Sequence, residues 1–506
     1  MALDVKKQTM ETEAVVSTQT AQTIIQAEAM VSGAGRDAVE VLMEDATVNI
    51  SGMEVQAGRL LVDGTVICQA VYRQGDADVI RAVEARGPVQ HGFEDEAIAV
   101  GMNADVEATV NHVEAGYLNG RILFRVTVEL HETVCGITAT EVVTGVEGVD
   151  GAECETLEID TARNSAEAVA QTIVTETLSL PQELATQATL MDFASVTVEK
   201  AERDLGGVTV SGRVNAEVMI ASSLPGRPVA MVKYPMAFRQ LVEMPEWLTE
   251  TVHATALVRS IRSTLVDGGA QGEMGLRLDA DVDISVRAIQ TQKVSCVSNA
   301  YATGKVDLQA EQQPVSYTSA ITVREMEDTF KGTLLIPENA PRASTVLASV
   351  ARPTVSATFN EKGRGVVEGV LEFSALYMPS GGERPVTVRD ELPFRLNMAQ
   401  PIDDGSYVQA TVSGCEASAL MADRLEVRCT IRLRCIGREQ QITRVAVDVT
   451  ASEPKPRRAG IVMFWPGKED SIWSIGQRYH VPVEEVRREN GGVDVIRPGH
   501  ALILRI

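Results

Sequence analysis

The run VTVSGRVNAEVMI, from Val208 to Ile220, is the clearest indication of the fold. Its apolar residues recur at every second position around Gly212, which is the pattern of a β-strand with one buried face. Two other runs have the same form, LLVDGTVICQAVY around Gly64 and VVEGVLEFSALYM around Gly369. The three glycines are separated by 148 and 157 residues. This spacing indicates one unit repeated three times.

Further anchors support the same repeat. The first two copies open with Gln22-Thr23-Ile24-Ile25 and Gln171-Thr172-Ile173-Val174, and the third opens more weakly with Asp328-Thr329-Phe330. Because the runs are short and separated by turn signals, the sequence predicts a mainly β protein of three tandem antiparallel, sandwich-like repeats. A late alternating run closes each copy: Ile122–Leu130, Gly275–Val286 and Arg424–Cys435.

The anchors also predict where the repeats begin and end. The expected division is an N-terminal tail over residues 1–20, followed by repeats over 21–165, 166–320 and 321–452. Two segments near the starts of repeats fit short helices, Arg36–Ala46 and Pro181–Met191, and Pro181 suits the first turn of a helix. The alternative is that each segment is a loop that delivers the next strand.

Composition limits the classes of function. Hydrophobic residues make up 44% and charged residues 23% of the 506, as in an ordinary folded protein. The formal net charge of −24 argues against nucleic-acid binding, which needs clustered Lys and Arg. No apolar run of about 18 residues is present, so no membrane span is expected. The N-terminus has no apolar run typical of a signal peptide, so we expect a cytosolic protein.

The chemistry-bearing residues do not form a catalytic pattern. The seven cysteines include no CxxC pair, and their odd, sparse set predicts buried or free thiols in a reducing compartment. Cys429 and Cys435 are an even number of residues apart and are expected to share a strand face. No HExxH, phosphate-binding loop or GxSxG motif occurs. The sequence therefore predicts no metal, no cofactor and no enzymatic activity.

The C-terminal segment differs from the repeats. A stretch of prolines and basic residues over 453–459 predicts a stiff exposed linker. Residues 460–506 then follow a strand-helix-helix-strand pattern, in which Asp470 or Ser471 can cap the first helix. The expected elements are a strand at Ile461 and Met463, helices over Ile472–Tyr479 and Val483–Glu489, and a strand over Ala501–Ile506.

This segment resembles the LysM family. The resemblance rests on Asp470-Ser471-Ile472-Trp473-Ser474-Ile475, on the turn Arg478-Tyr479-His480-Val481, and on Asn490, Ile496 and Pro498. In LysM modules that bind N-acetylglucosamine polymers, the loop before the first helix and the loop before the last strand form the sugar groove. Here Lys468-Glu469 separates Gly467 from Asp470, so the first loop departs from the family pattern.

The resemblance implies a set of residues that bind either a partner protein or a glycan. Trp473 is the candidate hot spot of this set, with packing in the module's own core as the alternative. The full set is Gly467, Lys468, Asp470, Ser471, Trp473, Arg478, Tyr479, Asn490, Ile496 and Pro498.

The domain order resembles the SipL-type spore coat proteins, whose repeats are called SPOCS domains. The resemblance also rests on Ala27–Leu42, which reads AEAMVSGAGRDAVEVL. It implies a non-enzymatic mother-cell protein at the forespore surface, in which the LysM module binds the ATPase of the coat's basement layer. One alternative is a protein of the cell wall or spore cortex that binds peptidoglycan. Another is a structural protein that self-associates through its β edges.

Overall fold

Long antiparallel strands build the chain up to Ser452. The computed structural model describes residues 3–31, 39–75, 79–245, 251–267, 274–304, 306–382, 384–453, 460–492 and 500–506. In these ranges, eighteen strands form six three-stranded sheets before the C-terminal segment. The predicted fold class, mainly β with repeated antiparallel sheets, is confirmed.

The first unit contains two sheets with the strand orders β1-β6-β5 and β2-β3-β4. Its strands are β1 (Asp4–Met30), β2 (Val39–Gln56), β3 (Arg59–Gln74), β4 (Val79–Glu94), β5 (Asn103–Leu118) and β6 (Arg121–Glu147).

The second unit repeats this arrangement, with the orders β11-β12-β7 and β10-β9-β8. Its strands are β7 (Ala152–Ser179), β8 (Thr186–Asp204), β9 (Gly207–Leu224), β10 (Arg227–Glu243), β11 (Thr251–Asp267) and β12 (Met274–Ala302).

The third unit has the orders β13-β18-β17 and β14-β15-β16. Its strands are β13 (Asp307–Leu335), β14 (Ala343–Glu361), β15 (Arg364–Pro379), β16 (Val386–Asn397), β17 (Tyr407–Met421) and β18 (Arg424–Ser452).

The period-two alternation sets which face of each strand is buried. In β9, the residues on one side of the strand are buried and face the opposite sheet of the same unit, as the sequence predicts. The first and third units have equivalent cores of their own. Cys429 and Cys435 both lie in the core of the third unit, so the prediction that they share a face is confirmed. The buried apolar residues on that side of β9 are Val208, Val210, Val214, Ala216, Val218 and Ile220, and Met219 and Ala221 are buried in a different cluster.

The three anchor glycines occupy equivalent positions at the centres of β3, β9 and β15. A Cβ on Gly64 would lie 2.5 Å from the backbone oxygen of Asn49, and a Cβ on Gly212 or Gly369 would lie 2.2 Å from the equivalent oxygen. In each unit the neighbouring strand has a β-bulge beside the glycine. The repeat seen in the sequence is therefore a repeat of the backbone, because each bulge brings a carbonyl against a position that only glycine fits.

The strands begin earlier than the predicted repeat boundaries. Residues 4–20, predicted as a tail, belong to β1, which pairs along its whole length with β6. The predicted boundaries at residues 166 and 321 lie inside β7 and β13. The anchors mark the second half of each opening strand, which packs over the core of its own unit, whereas the first half packs in clusters shared between units.

Within the described residues neither segment forms the helix considered for it, and the alternative, a loop that delivers the next strand, fits only residues 181–185. Residues 39–46 belong to β2, residues 186–191 belong to β8, and only a 3-10 turn over Gln182–Leu184 lies between β7 and β8. Leu42 and Met43 are adjacent and both fully buried because they pack against the other units. Two adjacent buried residues interrupt the every-second-residue pattern, so the spacing of apolar residues in the sequence resembles that of a helix. Residues 36–38 lie outside the described ranges.

The three units share a central contact. Equivalent strands β2, β8 and β14 each bring a pair of apolar residues into one buried cluster. A second shared cluster joins β1, β6, β7, β12, β13 and β18. The three units therefore pack against one another around these two shared clusters. The paired residues of the first cluster are Leu42 and Met43, Leu190 and Met191, and Leu347 and Ala348.

Candidate functional site

The C-terminal segment folds as strand, helix, helix and strand. Its elements are β19 (Ile461–Phe464), α1 (Ile472–Tyr479), α2 (Val483–Glu489) and β20 (Leu502–Arg505). The strands pair antiparallel, and the pairing extends to Gly460, whose N–H donates to the Ile506 carbonyl at 2.9 Å. The predicted order of elements is confirmed, and we call residues 460–506 the C-terminal module.

The start of α1 is set by local hydrogen bonds. The Ser471 hydroxyl accepts from the Ser474 N–H at 3.0 Å, and the Ser471 N–H donates to the Ser474 hydroxyl at 2.9 Å. This reciprocal pair satisfies two donors that a helix start leaves free. Ile472 and Ile475 then face the core of the module, where they meet Val486 and Leu504.

Asp470 organises the loop before α1. Its carboxylate accepts from the Gly467 N–H at 2.8 Å and from the Arg478 guanidinium at 3.2 Å. Lys468 is exposed at the tip of this loop. Asp470 therefore holds both Gly467 and Arg478, with Lys468 and Glu469 in the loop between Gly467 and Asp470.

Two other predicted site residues have structural contacts. The Asn490 side chain donates to the carbonyls of Val486 and Ile503 and accepts from the Ile503 N–H, so it ties α2 to β20. The Tyr479 ring packs edge-on against Phe464, with ring centroids 5.7 Å apart. The predicted residues Ile496 and Pro498 lie outside the described residues.

Trp473 contacts the chain's own second unit. Its ring packs edge-on against Tyr301 of β12, with ring centroids 4.9 Å apart. The Tyr301 hydroxyl donates to the Val481 carbonyl at 2.8 Å, and burial raises the pKa of Tyr301. Gly476 gives this hydroxyl room, because a Cβ there would lie 2.6 Å from it. We call this contact, formed by Trp473, Gly476 and Val481 on Tyr301, the module seat.

The module seat has polar neighbours that extend it along β12. Gln477 exchanges hydrogen bonds with Asn299 at 3.3 Å, and His480 Nδ1 lies 3.1 Å from the Ala302 carbonyl. Sequence reasoning missed Tyr301 and Asn299. The alternating sequence pattern of a strand does not show whether a buried residue packs against a distant module or against the other sheet of its own unit.

A different face of the module is apolar and exposed. Ile461, Met463 and Trp465 alternate along and beyond β19 and are 71%, 56% and 59% exposed, and Ile503 of β20 lies opposite Met463. We call these four residues the apolar face. The sequence already indicates this face. IVMFW is apolar at every position, so the side of the strand that faces away from the module core is apolar as well.

A cavity of about 1120 Å³ lies between the three units and carries many charged side chains. Arg434 donates to Glu107 across two units at 3.1 Å, and Arg352 is paired with Asp45. Burial raises the pKa of Asp45 and of Glu107, whereas the neighbouring guanidinium groups act in the opposite direction. These charges form cross-unit ion pairs.

The described residues contain neither a cluster of metal-ligand side chains nor a helix that could cross a membrane. No group of three or more His, Cys, Asp and Glu side chains in these ranges could hold a metal ion. No helix of the described chain is long and apolar enough to span a bilayer.

Fold and module together define a class: a mainly β protein with three repeated two-sheet units and a small α+β module at one end. Residues 37–139 match the family model SipL, SPOCS domain. This range covers β2 to β5 and much of β6, which is the greater part of the first unit. The match supports the SipL-type family and links the chain to sporulation and the spore coat; that family is not an enzyme family. No curated protein and no solved structure matches the chain.

Proposed function

We propose that this protein is a non-enzymatic adaptor of spore coat assembly. Its three β units are SPOCS-like scaffold repeats, and its C-terminal module is a LysM module that binds the ATPase of the coat's basement layer. The protein acts in the mother cell, at the forespore surface. The family match over residues 37–139 supports the setting, and the repeated backbone supports extension of the assignment to the other two units.

The apolar face is the observation that carries the proposal. Exposed contiguous apolar side chains are costly on a surface that meets only water, and they mark sites of macromolecular contact. The module seat occupies Trp473, whereas the apolar face, which includes Trp465 just beyond the end of β19, is open to a partner. Tryptophan residues with well-packed apolar neighbours are typical binding hot spots.

The test is recovery of the basement-layer ATPase by the full-length protein and by two variants. Trp465→Glu and Met463→Glu each place a charge in the apolar face and should weaken binding roughly tenfold or more. Leu205→Glu is the matched control, because Leu205 is 92% exposed on the β8–β9 hairpin of the second unit. Removal of residues 460–506 should abolish recovery.

Equal recovery with and without residues 460–506 would refute the adaptor function. Sedimentation with purified peptidoglycan separates the main alternative, because a glycan-binding module would carry the protein into the pellet. In that case Trp465→Glu should release the protein from the polymer instead of from the ATPase.

A further inference from the structure

Cys415 and Cys429 are brought together by the third unit. They are directly opposite each other in the register of β17 and β18, and their Sγ atoms lie 2.9 Å apart. Both side chains are buried in the core of that unit. Opposed residues of an antiparallel pair have a Cα separation within the range that a disulfide spans, so this pair is placed where two sulfurs can bond.

Comparison of the three units shows that the fold does not need sulfur here. The equivalent opposed pair, just after the same bulge, is Val113 and Val126 in the first unit and Ile261 and Ala280 in the second. Two cysteines replace two apolar residues in the third unit alone. Each of the other five cysteines is opposed across its strands by residues other than cysteine.

We propose that Cys415 and Cys429 form an oxidative modification site, in which a peroxide converts the two thiols to a cross-strand disulfide. The inference is independent of the proposed function. The disulfide would join β17 to β18, the strand that leads to the C-terminal module, and would strengthen the third unit against unfolding.

The geometry assigns different roles to the two sulfurs. Cys415 lines the cavity between the units together with Ser413 and Gly414, so a small oxidant reaches it first, whereas Cys429 is deeper. The Cys415 thiolate attacks hydrogen peroxide; the O–O bond breaks, hydroxide leaves, and Cys415 becomes a sulfenic acid. The Cys429 sulfur then attacks Cys415 Sγ, and the sulfenic oxygen leaves with the Cys429 proton as water. Overall, two thiols lose two electrons and two protons, and one peroxide becomes two waters.

The reaction has an expected pH dependence. The hydrogen bond with Cys429, together with burial, raises the pKa of Cys415 well above its usual value. The thiolate is the reactive form, so the rate of cross-linking should rise with pH throughout the neutral and mildly alkaline range.

The experiment uses the full-length protein, purified reduced and then treated with hydrogen peroxide in its folded state. We expect the intact mass to fall by two hydrogen atoms. A non-reduced digest should contain one peptide pair that joins Cys415 to Cys429. The thermal midpoint of unfolding should rise by on the order of 5 °C, and a thiol reductant should reverse the rise.

Two variants serve as controls for this experiment. The double variant Cys415→Val with Cys429→Val copies the pair of the first unit, so it should fold but show neither the mass loss nor the rise in midpoint. Cys68→Ala removes a buried thiol of the first unit and should leave the cross-link unchanged. Recovery of Cys415 and Cys429 as free thiols after peroxide treatment, or a cross-link between any other pair, would overturn the proposal.

Discussion

At the scale of single residues, Gly212 shows how tightly the repeated unit is built. It lies between Val198 of β8 and Phe238 of β10 in the register of the sheet. A Cβ would come within 2.2 Å of the Thr197 carbonyl oxygen and 2.8 Å of the Phe238 ring. The carbonyl belongs to the backbone, so it cannot rotate away as a flexible side chain could.

We predict that Gly212→Ala lowers the free energy of unfolding by about 3 kcal/mol, because the neighbouring strand must shift to admit the methyl group. Chemical denaturation monitored by circular dichroism measures the change. Gly116→Ala is the matched control, since Gly116 also lies in a strand but a Cβ there would meet nothing within 4 Å. Similar midpoints for the two variants would contradict the role given to Gly212.

At the scale of elements, the module seat joins α1 to β12. Tyr301 is 1% exposed and supplies both the ring that meets Trp473 and the hydroxyl that meets the Val481 carbonyl. This contact fixes the module on the second unit and leaves the apolar face open. Residues 454–459, predicted as an exposed linker, lie outside the described ranges.

We predict that Tyr301→Ala releases the module from β12, because it removes the ring contact and the hydrogen bond together. Amide hydrogen exchange over residues 472–481 should accelerate roughly tenfold or more. Tyr301→Phe keeps the ring and loses one hydrogen bond, worth about 1 kcal/mol, so its effect should be clearly smaller. Unchanged exchange in Tyr301→Ala would show that the seat does not hold the module.

At the scale of the whole molecule, a buried ion cluster joins the three units. Arg438 of the third unit pairs with Glu13 and, at 3.0 Å, with Asp105 of the first unit; Arg287 of the second unit also pairs with Asp105. The side chains of Arg438 and Glu13 are 8% and 0% exposed. Such a cluster specifies how the units meet, because a mispaired arrangement would leave buried charges without partners.

We predict that Arg438→Met destabilises the protein by about 3–5 kcal/mol, since it leaves Glu13 buried without its cation. Thermal unfolding should then lose cooperativity between the units. Arg428→Met is the control: Arg428 is 56% exposed and paired with Glu426, and its loss should change stability by less than about 1 kcal/mol. Equal effects of the two substitutions would refute a cluster that holds the units together.

Local signals in the sequence were sufficient to predict the strands and their repetition. Alternation placed the strands, the three glycines marked equivalent centres, and Ser471 set the start of α1, because each of these signals depends on neighbours within a few residues.

The contacts between distant segments, in contrast, follow from the three-dimensional packing of the units. Packing between units made strands of residues 39–46 and 186–191, where the spacing had suggested helices. It also turned Trp473 toward Tyr301 and brought Cys415 opposite Cys429. The physical reason is that register and packing between units depend on contacts between residues far apart in sequence, and a period-two pattern shows which face of a strand is buried but not what covers it.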